Sequence, residues 1–152
     1  MKNVFLRLAG ISVLMAAVFS AVILFYSGRE EKSAENKSLG TRLYSDGKFL
    51  ETYLDIYKKK YGSLPTEEQG LSALAEKPSV GKIPNNYKSI ISQKSQILDP
   101  WGNPYRLLFD SGGQYRIISL GKDGKEGGEG TARDFNVLDA KDFPSEYTPV
   151  LK

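Results

Sequence analysis

The sequence contains no cysteine and no histidine. Without cysteine there is no disulfide framework, no thiolate nucleophile and no Cys-ligated zinc. Without histidine the commonest general base, the Ser-His and Cys-His pairs and imidazole metal ligands are excluded. Any metal site must be built from oxygens, which favours calcium or magnesium over zinc or copper. An excess of one charge is lacking too: Lys+Arg 21 against Asp+Glu 18 leaves +3 over 152 residues. Residues 1–28 carry only Lys2 and Arg7, so the remainder is nearly neutral. That balance argues against a nucleic-acid partner, which calls for a basic face or run. The longest basic run, Lys58-Lys59-Lys60, reads as a solvated helix end. Neither a P-loop nor a dinucleotide fingerprint is present.

What is present begins with an apolar stretch. Residues 8–26 carry no charge, and Ser12 and Ser20 are their only clearly polar side chains. At about 1.5 Å per residue, a helix of that length approaches the thickness of a bilayer core. Lys2 and Arg7 precede it; Arg29, Glu30, Glu31 and Lys32 follow. The pattern predicts a retained single-span anchor over residues 1–28. A removed secretory signal is the alternative, but a cut near Ser20 or Ala21 leaves the apolar residues 22–26 exposed. The flanking charges leave orientation open. Residues 29–38 form a polar linker or a continuation of the helix, and residues 39–152 form one domain.

In that domain Leu39, Leu43, Leu50, Tyr53, Leu54, Tyr57 and Tyr61 fall on one helical face. Gly40 and Gly47 weaken this helix and predict a loosened turn at Ser45-Asp46-Gly47. Gly62 suits its C-terminal cap. Thr66-Glu67-Glu68-Gln69 matches a capping box and predicts a short helix to about Glu76, burying Leu71, Leu74 and Ala75 before Pro78 ends it. Residues 78–96 read as loop. Asp99-Pro100-Trp101-Gly102-Asn103-Pro104 is a turn cluster, structural rather than chemical, with Trp101 covering the core. Residues 105–109 and 115–120 predict an antiparallel hairpin around a loop of residues 110–114. Residues 137–152 read as a tail lying on the domain.

Residues 121–130 then hold Gly121, Gly124, Gly127, Gly128 and Gly130, too many for a regular element. Set against a twelve-residue calcium loop, Asp123 takes position 1, Gly128 position 6, Glu129 position 7, Thr131 position 9 and Asp134 position 12. Lys125 and Gly127 supply no side-chain oxygen at positions 3 and 5, so this is not an EF-hand. A glycine-rich loop closing its carbonyls and two carboxylates around a hard cation is physically sensible. A solvated loop and a substrate-binding loop remain the other readings of the residues.

Four pieces in order resemble a known family: residues 50–61 (LETYLDIYKKKY), 64–78 (LPTEEQGLSALAEKP), 99–105 (DPWGNPY) and 119–131 (SLGKDGKEGGEGT). They are similar to the G-type major pseudopilins of bacterial type II secretion systems. The resemblance implies an α+β, type IV pilin-like fold. In it a long N-terminal helix, transmembrane then amphipathic, packs on a small antiparallel β-sheet with a C-terminal calcium loop. It implies a structural role in a secretion filament and no enzymatic activity. It also implies Ca2+ as cofactor, held by the Leu120 carbonyl, Asp123, the Glu129 carbonyl, the Thr131 position and Asp134. Ala132 stands where relatives can be more polar. The implied partners are copies of this chain, other pseudopilins, inner-membrane secretion-platform proteins and the inner membrane itself, with no small-molecule substrate. The implied location is a single pass through the bacterial inner membrane, with the C-terminal domain in the periplasm.

The N-terminal region departs from that pattern. Pseudopilins are cut next to a glycine and carry a glutamate at the fifth position of the mature end. Here a gapless register places the cut near Arg7–Leu8, where there is no glycine; a cut after Gly10 puts Met15 at the fifth place. No acidic residue occurs in residues 1–29, and Arg29 stands near the place of a helix-kinking proline. In the family that glutamate is thought to set register by pairing with a neighbour, since an unpaired carboxylate in lipid is costly. Its absence points to weak assembly, a place at a filament end, or no assembly. The alternative function is therefore a membrane-anchored periplasmic binding or assembly module with a pseudopilin domain that does not polymerise. An enzyme is a third reading, with Asp, Glu, Lys and Tyr available but no nucleophile motif.

Overall fold

The computed structural model describes the backbone of residues 2–151, with side chains from residue 15 onward. Helix α1 spans Lys2–Tyr61. The chain divides into two compact units, Met1–Asn36 and Lys37–Lys152. In the first unit the described apolar side chains Met15, Val18, Phe19, Val22, Ile23, Leu24, Phe25 and Tyr26 are all exposed. Among the described residues no helix is long and apolar enough to cross a membrane. Residues 8–14, the first part of the expected span, lie outside the described side chains. Residues 29–38 are helical throughout.

In the second unit α1 buries Leu43, Leu50, Leu54 and Tyr57. Leu39, Tyr53 and Tyr61 flank them, half-buried. The 3–4 spacing of the sequence thus becomes one apolar face. The expected loosened turn at Ser45-Asp46-Gly47 does not occur, because the helix runs through it. Gly40 and Gly47 serve packing instead. A Cβ on Gly40 would lie 1.7 Å from the Tyr147 carbonyl oxygen, and one on Gly47 2.2 Å from that of Val137. Both glycines admit backbone from the C-terminal segment against the helix. Beside Gly47, the Tyr105 hydroxyl donates to Asp46 at 2.9 Å. Burial raises the Asp46 carboxyl above its usual pKa, outweighing the Tyr105 hydrogen bond and nearby Arg42. The Tyr105 phenol is raised by burial and by Asp46.

The capping box forms: Thr66 N donates to Gln69 Oε1 at 3.1 Å, and Gln69 N to Thr66 Oγ1 at 3.2 Å. It does not open the expected helix from Thr66. Gly70 adopts φ +58°, a conformation that ends a right-handed turn. Helix α2 is confined to Ser72–Ala75, and Ala73 rather than Ala75 joins Leu71 and Leu74 in the core. Buried Gln69 continues outward, donating to the Val80 and Lys82 carbonyls and pinning the 78–96 loop.

Strands β1 (Arg106–Phe109), β2 (Tyr115–Ser119) and β3 (Phe135–Asn136) form an antiparallel sheet in that order. The expected hairpin is present, with Arg106 opposite Ile118 and Phe109 opposite Tyr115. Asp110 Oδ1 accepts from Gly112 N and Gln114 N, which fixes its loop. Along the free edge of β1, Tyr105 N donates to the Ile97 carbonyl and Phe109 N to the Glu67 carboxylate. Strand β3 has no counterpart in the sequence reading. The last residues are more than a surface tail: Val137, Phe143 and Tyr147 are buried, and the Phe135 ring meets those of Phe143 and Tyr147 at 5.7 and 5.4 Å. Short 3-10 turns at Ala140–Asp142 and Ser145–Tyr147 carry the chain back to α1. There Val150 N donates to Thr41 Oγ1 at 2.9 Å.

Candidate functional site

The glycine-rich loop leaves the sheet at the end of β2, and its base is held from two sides. On one side stands Asp99, only 3% exposed. Its Oδ1 accepts from Trp101 N at 3.0 Å and Asn103 N at 2.9 Å, winding residues 99–103 into a turn. Its Oδ2 accepts from the Ser119 hydroxyl at 2.6 Å. Ser119 Oγ in turn accepts from Gly121 N at 3.1 Å, and Asn103 Nδ2 donates to the Gly121 carbonyl at 2.7 Å. Both polar groups of the Gly121 backbone are therefore anchored to the 99–103 turn, directly or through Ser119. Trp101 lies over the core, as its place in the turn suggests, with its ring 6.3 Å from that of Phe135.

On the other side the returning chain approaches the same residue. Gly121 has φ +68°, and a Cβ there would meet the Arg133 and Thr131 carbonyl oxygens at 2.5 and 2.7 Å. A Cβ on Gly128 would meet the Ala132 carbonyl oxygen at 2.4 Å. Glycine keeps these carbonyl-lined approaches open. Lys122 N donates to the Thr131 carbonyl at 2.8 Å, closing the loop at its neck.

The predicted ligands are distributed as follows. Asp123 is exposed and its Oδ1 accepts from Lys125 N at 3.2 Å, a local turn. Asp134 Oδ2 reaches across the loop to Gly127 N at 3.1 Å. The Glu129 carbonyl accepts from Ala132 N at 3.0 Å. Leu120 and Asp134 line an open crevice on the sheet face with Arg106, Leu108, Arg116, Ile118 and Glu126. Arg106 spans it to Glu126 at 2.5 Å. Among the described residues, no three Asp or Glu side chains gather as a metal cluster. The donor set does not depend on one: it has two carboxylates, and its remaining oxygens come from the loop backbone and Thr131. Carbonyls that already accept one hydrogen bond retain a second lone pair. The chemistry is all-oxygen, anionic and adaptable, which fits calcium. The sequence reading missed Asp99, Asn103 and Ser119 as supports of this loop. The turn-forming residues of 99–104 are the only signal that pointed there.

Comparison with known proteins places this architecture. The family Type II secretion system (T2SS), protein G matches residues 31–137. The type II secretion system core protein G of Aeromonas hydrophila is 37% identical over 131 residues, spanning 86% of this chain and 87% of that protein. The core protein G of Pseudomonas aeruginosa is 32% identical over 130 residues, 85% of this chain and 92% of its own. Among solved structures, the major pseudopilin from the type 2 secretion system of enterohaemorrhagic Escherichia coli superimposes with a TM-score of 0.53 at 36% identity. That match covers 60% of this chain and 82% of that one. A helix packed on a three-stranded antiparallel sheet, the sequence match across the domain and this structural likeness agree: the chain belongs to the protein G family of type II secretion systems, the major pseudopilins.

Proposed function

We propose that this chain is a structural pseudopilin subunit of a type II secretion filament, working by assembly rather than catalysis. The observation that carries the reading is the match over residues 31–137, joined to a helix whose apolar side chains from Met15 to Tyr26 stay exposed in the single chain. Exposed apolar surface of that extent calls for lipid or neighbouring helices. Residues 8–26 anchor the subunit by a single pass in the inner membrane, and the domain from residue 39 stands in the periplasm. Its partners are further copies, other pseudopilins and the secretion platform.

In this reading Ca2+ orders the loop through Leu120, Asp123, Glu129, Thr131 and Asp134. The all-oxygen donor set supports it. When bound, the ion neutralises the two carboxylates and ties the loop's arms together. Its contribution to stability follows RT ln(1 + [L]/Kd), about 2.7 kcal/mol at a hundredfold excess over Kd. The test is the melting point of the full chain in detergent, with calcium and with a chelator. Chelation lowers it, and Asp123→Ala or Asp134→Ala abolishes the difference. An unchanged wild-type melt rejects the metal.

The absence of any acidic residue in 1–29 favours a second reading, an anchored module that does not polymerise. Crosslinking in native membranes separates the two. A ladder of self-adducts supports the filament; adducts only to other proteins support the module.

A further inference from the structure

The buried Asp99 cluster performs more bonding than a simple chain reversal requires. A turn over residues 99–103 needs only the carboxylate oxygen that accepts from Trp101 N and Asn103 N. The second carboxylate oxygen is committed to Ser119, and through it to Gly121 N. The Asn103 side chain is committed to the Gly121 carbonyl. Gly121 follows Leu120, whose carbonyl is the first expected calcium ligand, and stands two residues before Asp123. The Leu120–Gly121 peptide unit is held at its N–H by Ser119, and the next unit is held at the Gly121 carbonyl by Asn103 and at Lys122 N by the Thr131 carbonyl, so the direction of the Leu120 carbonyl, coplanar with the held N–H, is set before any ion arrives. From the opposite arm the Arg133 and Thr131 carbonyls approach so closely that Gly121, at φ +68°, has no room for a Cβ.

We infer that Asp99, Asn103 and Ser119 are positioning residues for the calcium loop: they preorganise the Leu120–Gly121 backbone so that the ion meets a ready-made carbonyl. The inference rests on the calcium reading above. Preorganisation raises affinity because ordering is completed before binding. Removing one such hydrogen bond should weaken binding about tenfold. The cluster also links the loop to Trp101, the only tryptophan in the chain. Calcium binding should therefore alter Trp101 emission, and loss of the Asn103 link should diminish that change.

The experiment is a calorimetric calcium titration of the full chain in detergent, paired with Trp101 fluorescence and a melt in chelator. The variants are Asn103→Ala and Ser119→Ala. Tyr87→Phe is the control, removing a hydrogen bond to the Ala73 carbonyl in another part of the domain. The expected result is calcium binding about tenfold weaker in both loop-base variants and unchanged in Tyr87→Phe, with all three folded in chelator. A purely structural role would lower the melts and leave affinity alone. Wild-type affinity in both loop-base variants overturns the inference while the calcium reading stands. Equal weakening in Tyr87→Phe overturns it as general destabilisation. Loss of folding in both loop-base variants overturns it by making the cluster a folding element. A wild-type chain that takes no calcium removes the calcium reading, and the inference falls with it.

Discussion

Gly40→Ala separates local propensity from tertiary packing. Judged by the helix alone, alanine is favoured over glycine by about 1 kcal/mol. Judged by the fold, the new Cβ lies 1.7 Å from the Tyr147 carbonyl oxygen, where ordinary contact begins near 3.4 Å. The C-terminal segment would have to withdraw by about as much again. That retreat disturbs Tyr147, only 4% exposed and edge-on to Phe135, and strains the hydrogen bond from Val150 N to Thr41. Truncating a buried large aromatic costs about 3–5 kcal/mol, and a net hydrogen bond is worth about 1 kcal/mol. Losing roughly half of the first and most of the second, less the propensity gain, leaves a destabilisation of about 2 kcal/mol. In a domain of this size that lowers the melting point by about 8 °C. The assay is a near-ultraviolet circular dichroism melt of the full chain, beside Gly28→Ala, whose Cβ meets nothing within 4 Å. Gly28→Ala should leave this melt unchanged. A Gly40→Ala melt at or above wild type would refute the argument that the glycine exists for the tail.

Three further outcomes follow from the packing and the site. Asp46→Asn keeps an acceptor for Tyr105 and removes a carboxylate that burial disfavours. Because the native pKa is raised, the unfolded state releases its proton first. The wild type therefore loses stability as pH rises from the unfolded value through the raised native one. Asp46→Asn should match wild type near pH 3 and exceed it at pH 7; paired urea curves that stay parallel would contradict this. Val137→Ala empties a fully buried site and should lower stability by about 2 kcal/mol, read as a shift in urea midpoint. A surface tail would show no shift. Chelation should lower the melting point of the wild type and leave Asp134→Ala unmoved, and equal responses would count against that carboxylate as a ligand.

Some of this fold was plain in the residues because its signals are local. Two β-rich runs, 105–109 and 115–120, around a turn-rich pentapeptide specified the hairpin and its length. The 3–4 spacing from Leu39 to Tyr61 specified a buried helical face. Where long-range contact decides, the residues were silent. Gly40 and Gly47 read as weak points because propensity counts only the helix, and their value lies in backbone roughly a hundred residues away. Strand β3 pairs two residues, too few to show a period. Val137 enters the core from the turn after β3, Phe143 from the bend after the 140–142 turn and Tyr147 from a 3-10 turn, none of which imposes a repeat on the sequence. The Thr66 capping box was legible, but Gly70 as its stop was not, since only the realised φ reveals it. At the site, the acids and glycines of 120–134 were visible as a group. The supports were not, because the link from Asp99 to Ser119 joins two segments, each of which reads as ordinary structure by itself.

The occupied edge of β1 bears on how such subunits can meet. A strand with free N–H groups invites another strand, and pairing of that kind is open-ended and hard to reverse. Here Phe109 N is held by Glu67 and Tyr105 N by Ile97, so the backbone at both ends of that edge is already satisfied within the chain. A strand approaching that edge finds the donors at its two ends already taken. At those two positions the edge of β1 offers an incoming strand no free donor.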